Sequence, residues 1–125
     1  MPHCILEASD NLRDAPDWAG LLEKLHGTLV ATGLFKEEDL KSRVLLHRTF
    51  RVGDGAPARA FVTLDLQIME GRDDDTKARL SEALMAVLAG AFPHTSASMR
   101  LNLTVQVSEL HRASYRRQTS GPAAP

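Results

Sequence analysis

AFVTLDLQIMEGRDDDT, residues 60–76, decides the fold. Val62, Leu64, Leu66 and Ile68 alternate with Thr63, Asp65 and Gln67, and a strand puts such neighbours on opposite faces, one apolar and one polar. The alternation stops at Gly71-Arg72. Asp73-Asp74-Asp75-Thr76 then places acids where a helix presents its positive end. Leu80, Ala83, Leu84, Val87, Leu88 and Ala91 follow at helical spacing, and Pro93 closes that helix. Leu101, Leu103, Val105 and Val107 alternate with Asn102, Thr104, Gln106 and Ser108 as another strand. Residues 60–110 therefore predict a β-α-β unit.

The upstream half reads the same way. His3 to Ala8 is a short strand that ends on the turn residues Ser9-Asp10-Asn11. Asp14 is the expected N-cap of a helix, with Pro16 in the first turn and Asp17 favourable to the dipole. Trp18, Leu21, Leu22, Leu25 and Leu29 form its apolar stripe, and Gly33 is its stop. Phe35 to Ser42 is a polar loop, Val44 to Val52 a strand, and Gly53-Asp54-Gly55-Ala56-Pro57 a tight connector. A shift of 59 carries Leu21, Leu25 and Leu29 onto Leu80, Leu84 and Leu88, Val44 onto Leu103, Leu46 onto Val105, and Arg13 onto Arg72. The same shift puts Ile5 on Leu64. The expected fold is α+β: two tandem β-α-β units (2–52 and 60–110) in one domain, 1–111. Right-handed crossovers place both helices on one face of a four-stranded mixed sheet. Residues 112–125 form a basic, then Ser/Gly/Pro/Ala-rich tail, poorly ordered at its end.

Such a sheet leaves one face bare, with Thr63, Asp65, Gln67, Asn102, Thr104 and Gln106 on it. A semi-polar bare face predicts a closed homo-oligomer, and a ring of three brings the faces together. The chain has 125 residues and a net charge of −1, which gives no case for nucleic acid or an anionic membrane as partner. No apolar run is long enough to span a bilayer. MPHCILEASD lacks the pattern of a secretory leader, and Cys4 is the sole cysteine, so the expected location is the reducing cytoplasm. Asn102-Leu103-Thr104 is a chance sequon within a strand.

The chain begins Met1-Pro2-His3. An initiator methionine before a small side chain is normally trimmed, which leaves Pro2 as a free secondary amine, whereas a proline inside the chain has no N–H. Apolar walls and nearby cations lower the pKa of such an amine toward neutrality, where a general base works best.

Four stretches carry a resemblance: MPHCILEASDNLR (1–13), LVATGLFKEEDLKSRV (29–44), AFVTLDLQIMEGR (60–72) and VSELH (107–111). They resemble the tautomerase superfamily and, within it, the 5-carboxymethyl-2-hydroxymuconate delta-isomerase family. The resemblance implies a homotrimer that needs no metal or organic cofactor. It also implies an isomerisation in aromatic-acid breakdown, in which a 2-hydroxymuconate-type dienol becomes its 2-oxo-3-enoate isomer. Pro2 would carry the proton from the 2-hydroxyl to C5. The substrate is a small molecule with several carboxylates, so fixed cations must orient it and stabilise charge growing on the 2-oxygen. Arg72 matches the family's arginine after the third strand. Where the family has arginine, this chain has Lys41, followed by Ser42 and Arg43. Lysine keeps the charge but loses the bidentate fork, so the departure leaves open either the substrate's exact shape or which of Lys41 and Arg43 would anchor the carboxylate.

Taken alone, Arg72 reads as a solvated residue beside Asp73 to Asp75, and the resemblance makes it a site residue. Arg13 reads as structural, His3 as packed on the opposite sheet face from its neighbours, and Cys4 as an inert core thiol. Arg112, Arg116 and Arg117 read as a solvated tail. The histidines show no metal-ligand spacing. Two alternatives stay open: a non-enzymatic oligomer of this fold, and a hydratase, dehalogenase or decarboxylase using the same amine.

Overall fold

The computed structural model describes residues 1–123. Its strands are β1 (His3–Ser9), β2 (Lys41–His47), β3 (Arg59–Met69) and β4 (Arg100–Leu110), and its helices α1 (Trp18–Ala31), α2 (Asp74–Ala89) and α3 (Pro93–Ser98). Single 3-10 turns lie at Glu37–Asp39 and Arg112–Ser114. The sheet order is β2-β1-β3-β4; β1 and β2 are parallel, as are β3 and β4, while β1 and β3 run antiparallel. This is the mixed sheet of two β-α-β units that the alternating patterns predict. The end of the tail, residues 124–125, lies outside the described residues.

One face of the sheet and both long helices make the core. Cys4, Leu6 and Ala8 of β1 and Val62, Leu64, Leu66 and Ile68 of β3 meet Leu21, Leu25 and Leu29 of α1 and Leu80, Leu84 and Leu88 of α2. Each fully buried leucine contributes about 2 kcal/mol by leaving water. Phe92 fills the end of this layer against Trp18, with ring centroids 6.0 Å apart. On the other face His3 pairs with Gln67, Ile5 with Asp65 and Glu7 with Thr63, and among the described residues no helix covers them. The expected polar residues are there: the Asp65 carboxylate accepts from the Ser108 hydroxyl at 2.8 Å.

Four details depart from the sequence reading. A single shift of 59 does not describe the repeat. His3 pairs with Lys41 and Arg59 with Arg100, so the second strands and helices repeat at 59 but the first strands at 56. Ile5 faces the open side and Leu64 the core, so the match of those two was a coincidence of residue type. The second strand starts at Lys41 and ends at His47 rather than running from Val44 to Val52. As an edge strand it has only β1 to pair with, and β1 ends at Ser9 opposite His47.

Asp17, not Asp14, caps α1, accepting from the Gly20 N–H at 3.0 Å. Asp14 instead reaches α3, a helix the sequence reading missed. Pro93 starts that helix, and α2 has already ended at Ala89. The Asp14 carboxylate accepts from the His94 and Thr95 N–H groups at 3.0 and 2.8 Å and from the Thr95 hydroxyl at 2.6 Å. Partial burial pushes the Asp14 carboxyl up, but these bonds outweigh it and hold the pKa below the usual range. A depressed carboxylate stabilises the fold above its unfolded pKa, and the contribution is lost as pH falls through the lower folded value. We expect Asp14→Asn to lower the melting temperature at pH 7 and to shrink the wild-type loss of stability below about pH 4. Thermal melts at both pH values check this; parallel wild-type and variant profiles would remove Asp14 from the α3 cap.

Candidate active site

β1 begins at His3 in the middle of the sheet, so the chain's first residues are held inside the molecule. Pro2 is buried, and its carbonyl accepts the Lys41 N–H at 3.2 Å, extending the β1–β2 ladder by one step. The Met1 amine donates to the Asp39 carbonyl at 3.4 Å, and the Lys41 ammonium donates to that same carbonyl at 2.9 Å. Burial lowers the pKa of this terminal amine; Lys41 and Arg117 lower it further, against the opposing charge of Asp39.

A cavity of about 240 Å³ opens beside it, bounded by Met1, Pro2, Leu34, Phe35, Lys36, Asp39, Ile68, Met69 and Arg72. Two glycines shape its walls. Gly33 (φ 76°) turns the chain out of α1 toward Leu34 and Phe35, and Gly71 (φ 120°) turns it from β3 toward Arg72. The Arg72 guanidinium lies 5.2 Å above the Phe35 ring and donates to the Leu34 carbonyl at 3.3 Å. A cation on a ring face and a hydrogen bond to backbone together restrict its rotamers. Roomier hollows exist, of about 410 Å³ between α1 and α2 and about 560 Å³ near Arg59 and Arg100. Neither contains Pro2 or Arg72, and chemistry rather than size marks the smaller cavity.

Pro2 and Arg72 thus share one pocket. Lys41 stands at its rim, exposed, beside the amine. Arg43 does not join them in this chain. It lies on the open sheet face and donates to His3 Nδ1 at 3.2 Å. Arg13 is tied to α3, its guanidinium donating to the Ser98 carbonyl at 3.2 Å. Cys4 is buried in the core and burial pushes its thiol up to about 11. Sequence reasoning missed two cations. Lys36 lines the cavity, and its position directly after Phe35 in the loop returning from α1 was the available signal. Arg117 donates to the Asp39 carboxylate at 2.9 Å across 78 positions of sequence, and no local pattern announces that. Among the described residues no group of three or more His, Cys, Asp or Glu could hold a metal ion, and no helix is long and apolar enough to cross a membrane.

A model of the family 5-carboxymethyl-2-hydroxymuconate isomerase matches residues 2–120. A 5-carboxymethyl-2-hydroxymuconate Delta-isomerase of Escherichia coli is 36% identical over 111 residues, 89% of this chain and 88% of that protein. A crystal structure of a 5-carboxymethyl-2-hydroxymuconate isomerase from Deinococcus radiodurans R1 superposes with a TM-score of 0.88 at 34% identity, covering 95% of this chain and 90% of that one. A fused 4-OT wild-type symmetric trimer superposes at 0.69 and 13% identity, covering 89% and 87%, and shares the fold.

His3 tests the local electrostatics. Burial lowers its pKa, and the Arg43 guanidinium, the terminal amine and Lys41 lower it further. Arg43→Ala should raise the imidazole pKa toward its ordinary value near 6.5, read by NMR titration. An unmoved value would leave burial, the terminal amine and Lys41 as the causes.

Proposed function

The chain belongs to the 5-carboxymethyl-2-hydroxymuconate isomerase family and is an isomerase, and from that premise we propose that the amine of Pro2, freed by removal of Met1, moves the proton. The observation that carries this reading is the burial of Pro2 on the wall of a cavity that a tethered Arg72 also lines. With Met1 present the proline nitrogen is an amide and has no basicity. Once Met1 is gone, the terminal amine moves one residue inward, to a buried position. Burial and the charges of Lys41 and Arg117, which already lower the Met1 amine, act there on a secondary amine. An unprotonated amine at neutral pH accepts the 2-hydroxyl proton of a 5-carboxymethyl-2-hydroxymuconate-type substrate. The electrons of that O–H bond form the 2-oxo group, the double bonds shift by one position, and the same amine returns the proton at C5.

Arg72 is proposed to stabilise the growing charge on the 2-oxygen, because its guanidinium is fixed at the cavity and keeps donors free. Lys36 and Lys41 supply further cations for the substrate's carboxylates. Arg43 faces the open side of the sheet, so in this reading it works at a boundary between subunits. The homotrimer belongs to the same proposal. Three copies packing their bare faces would cover Asp65 and its partners and bring Arg43 of one chain toward the next. No cofactor enters the scheme, and a reducing cytoplasm suits a single buried thiol.

Mass spectrometry should find the chain without its initiator residue. Pro2→Ala should lower kcat about 10²–10⁴-fold and Arg72→Ala about 10²–10³-fold, followed by ultraviolet spectroscopy of the dienol, with the oligomer intact by light scattering. Of Lys41→Gln and Arg43→Gln, the larger rise in KM marks the carboxylate anchor. NMR of the product separates isomerisation from hydration, dehalogenation or decarboxylation by the same amine. Wild-type turnover by the Pro2 variant would end the proposal.

A further inference from the structure

The C-terminal tail does more than trail into solvent. Beyond β4 the Arg112 N–H donates to the Glu70 carboxylate and its guanidinium to the Glu70 carbonyl, each at 3.0 Å. Glu70 directly follows Met69, which lines the cavity, and precedes Gly71-Arg72, whose arginine lines it too. Five residues later the Arg117 guanidinium meets the carboxylate of Asp39, a residue that lines the cavity, at 2.9 Å. Residues 112–117 therefore run from the turn after β3 to Asp39 on the pocket.

Asp39 is the single acid among the described residues that line this cavity. Its carbonyl already receives the terminal amine and the Lys41 ammonium, so its carboxylate lies close to both. A free carboxylate there would favour the protonated amine and repel an anionic substrate. We infer that Arg117 is a positioning residue of the site, holding the Asp39 carboxylate turned to the tail and keeping the surroundings of the terminal amine net positive. This inference rests on the reading that the amine does the chemistry. The charges around the amine are Lys41 at the start of β2, Asp39 in the 3-10 turn before it, Lys36 in the loop, Arg72 before α2, His3 with Arg43 on the adjoining strands, and Arg117 from the tail. Glu37 and Glu38 share the turn of Asp39 but are exposed and line no wall. Arg117 holds the Asp39 carboxyl below its usual range, chiefly through the hydrogen bond, as an engaged carboxylate requires.

Arg117→Gln removes a cation and frees an anion, and both changes favour protonation of the amine. We expect the amine pKa to rise by about half a unit, read from the pH dependence of its acylation by a small anhydride, a measurement that needs no turnover. The acid limb of kcat/KM should move with it, a loss of about threefold below the pKa. Arg117→Lys should restore most of the shift, and Asp39→Asn/Arg117→Gln should return the amine close to wild type. An unmoved amine in Arg117→Gln, or a rise that persists in the double variant, overturns the inference. Absence of isomerase activity in the wild type would instead end the proposed function and leave the amine titration to decide the role of Arg117.

Discussion

One backbone hydrogen bond, from the Lys41 N–H to the Pro2 carbonyl at 3.2 Å, fixes where the polypeptide begins. β1 is an inner strand with β2 on one side and β3 on the other, so its first residues cannot swing into solvent without breaking the ladder. The bond also carries β2's first side chain to the same spot. Lys41 thus stands beside the terminal amine as a consequence of register. Burial and positive charge both reach the amine through this one constraint.

The second unit repeats the bond without a terminal amine. The Arg100 N–H donates to the Ala58 carbonyl at 2.8 Å, the counterpart of Lys41 and Pro2 under the shifts of 59 and 56. Arg13 answers to Arg72 as well, since both guanidiniums donate to a backbone carbonyl in the segment that leads into the second strand of a unit. Ala58, however, is in mid-chain, and its nitrogen is an amide with no lone pair to offer a proton. Two similar hollows therefore differ in kind. Only the one at the start of the chain can hold an amine.

Much of this was legible because it is local. Alternation in 62–68 and 101–107 fixes which side chains face the helices, and leucines at helical spacing fix which faces of α1 and α2 turn inward. Pro2 was also readable as a candidate, as the first residue after Met1, whereas Arg72 alone read as solvated and became a candidate only through the family resemblance. What stayed hidden depends on residues far apart in sequence. Asp14 looked like the cap of the next helix because propensity knows only neighbours, while its partner Thr95 lies 81 residues away. A single shift seemed adequate for the repeat because leucine matches isoleucine by type, although sheet faces have a period of two and the odd difference between the shifts of 59 and 56 exchanges them in the first strands. Arg117 reads as solvated until the sheet brings Asp39 beneath it.

Arg72 shows how the fold prepares a charge in advance. A lone arginine on a turn samples many rotamers, and ordering it against a ligand costs on the order of 2 kcal/mol. Here the Phe35 face and the Leu34 carbonyl impose that ordering before anything binds. Both restraints come from the loop after α1, whose direction is set by Gly33, while Arg72 comes from the turn after β3, set by Gly71. Of the five donors of the guanidinium the Leu34 carbonyl takes one. Joining a loop of the first unit to a turn of the second makes the pocket a product of the whole sheet. Neither β-α-β unit could form it alone.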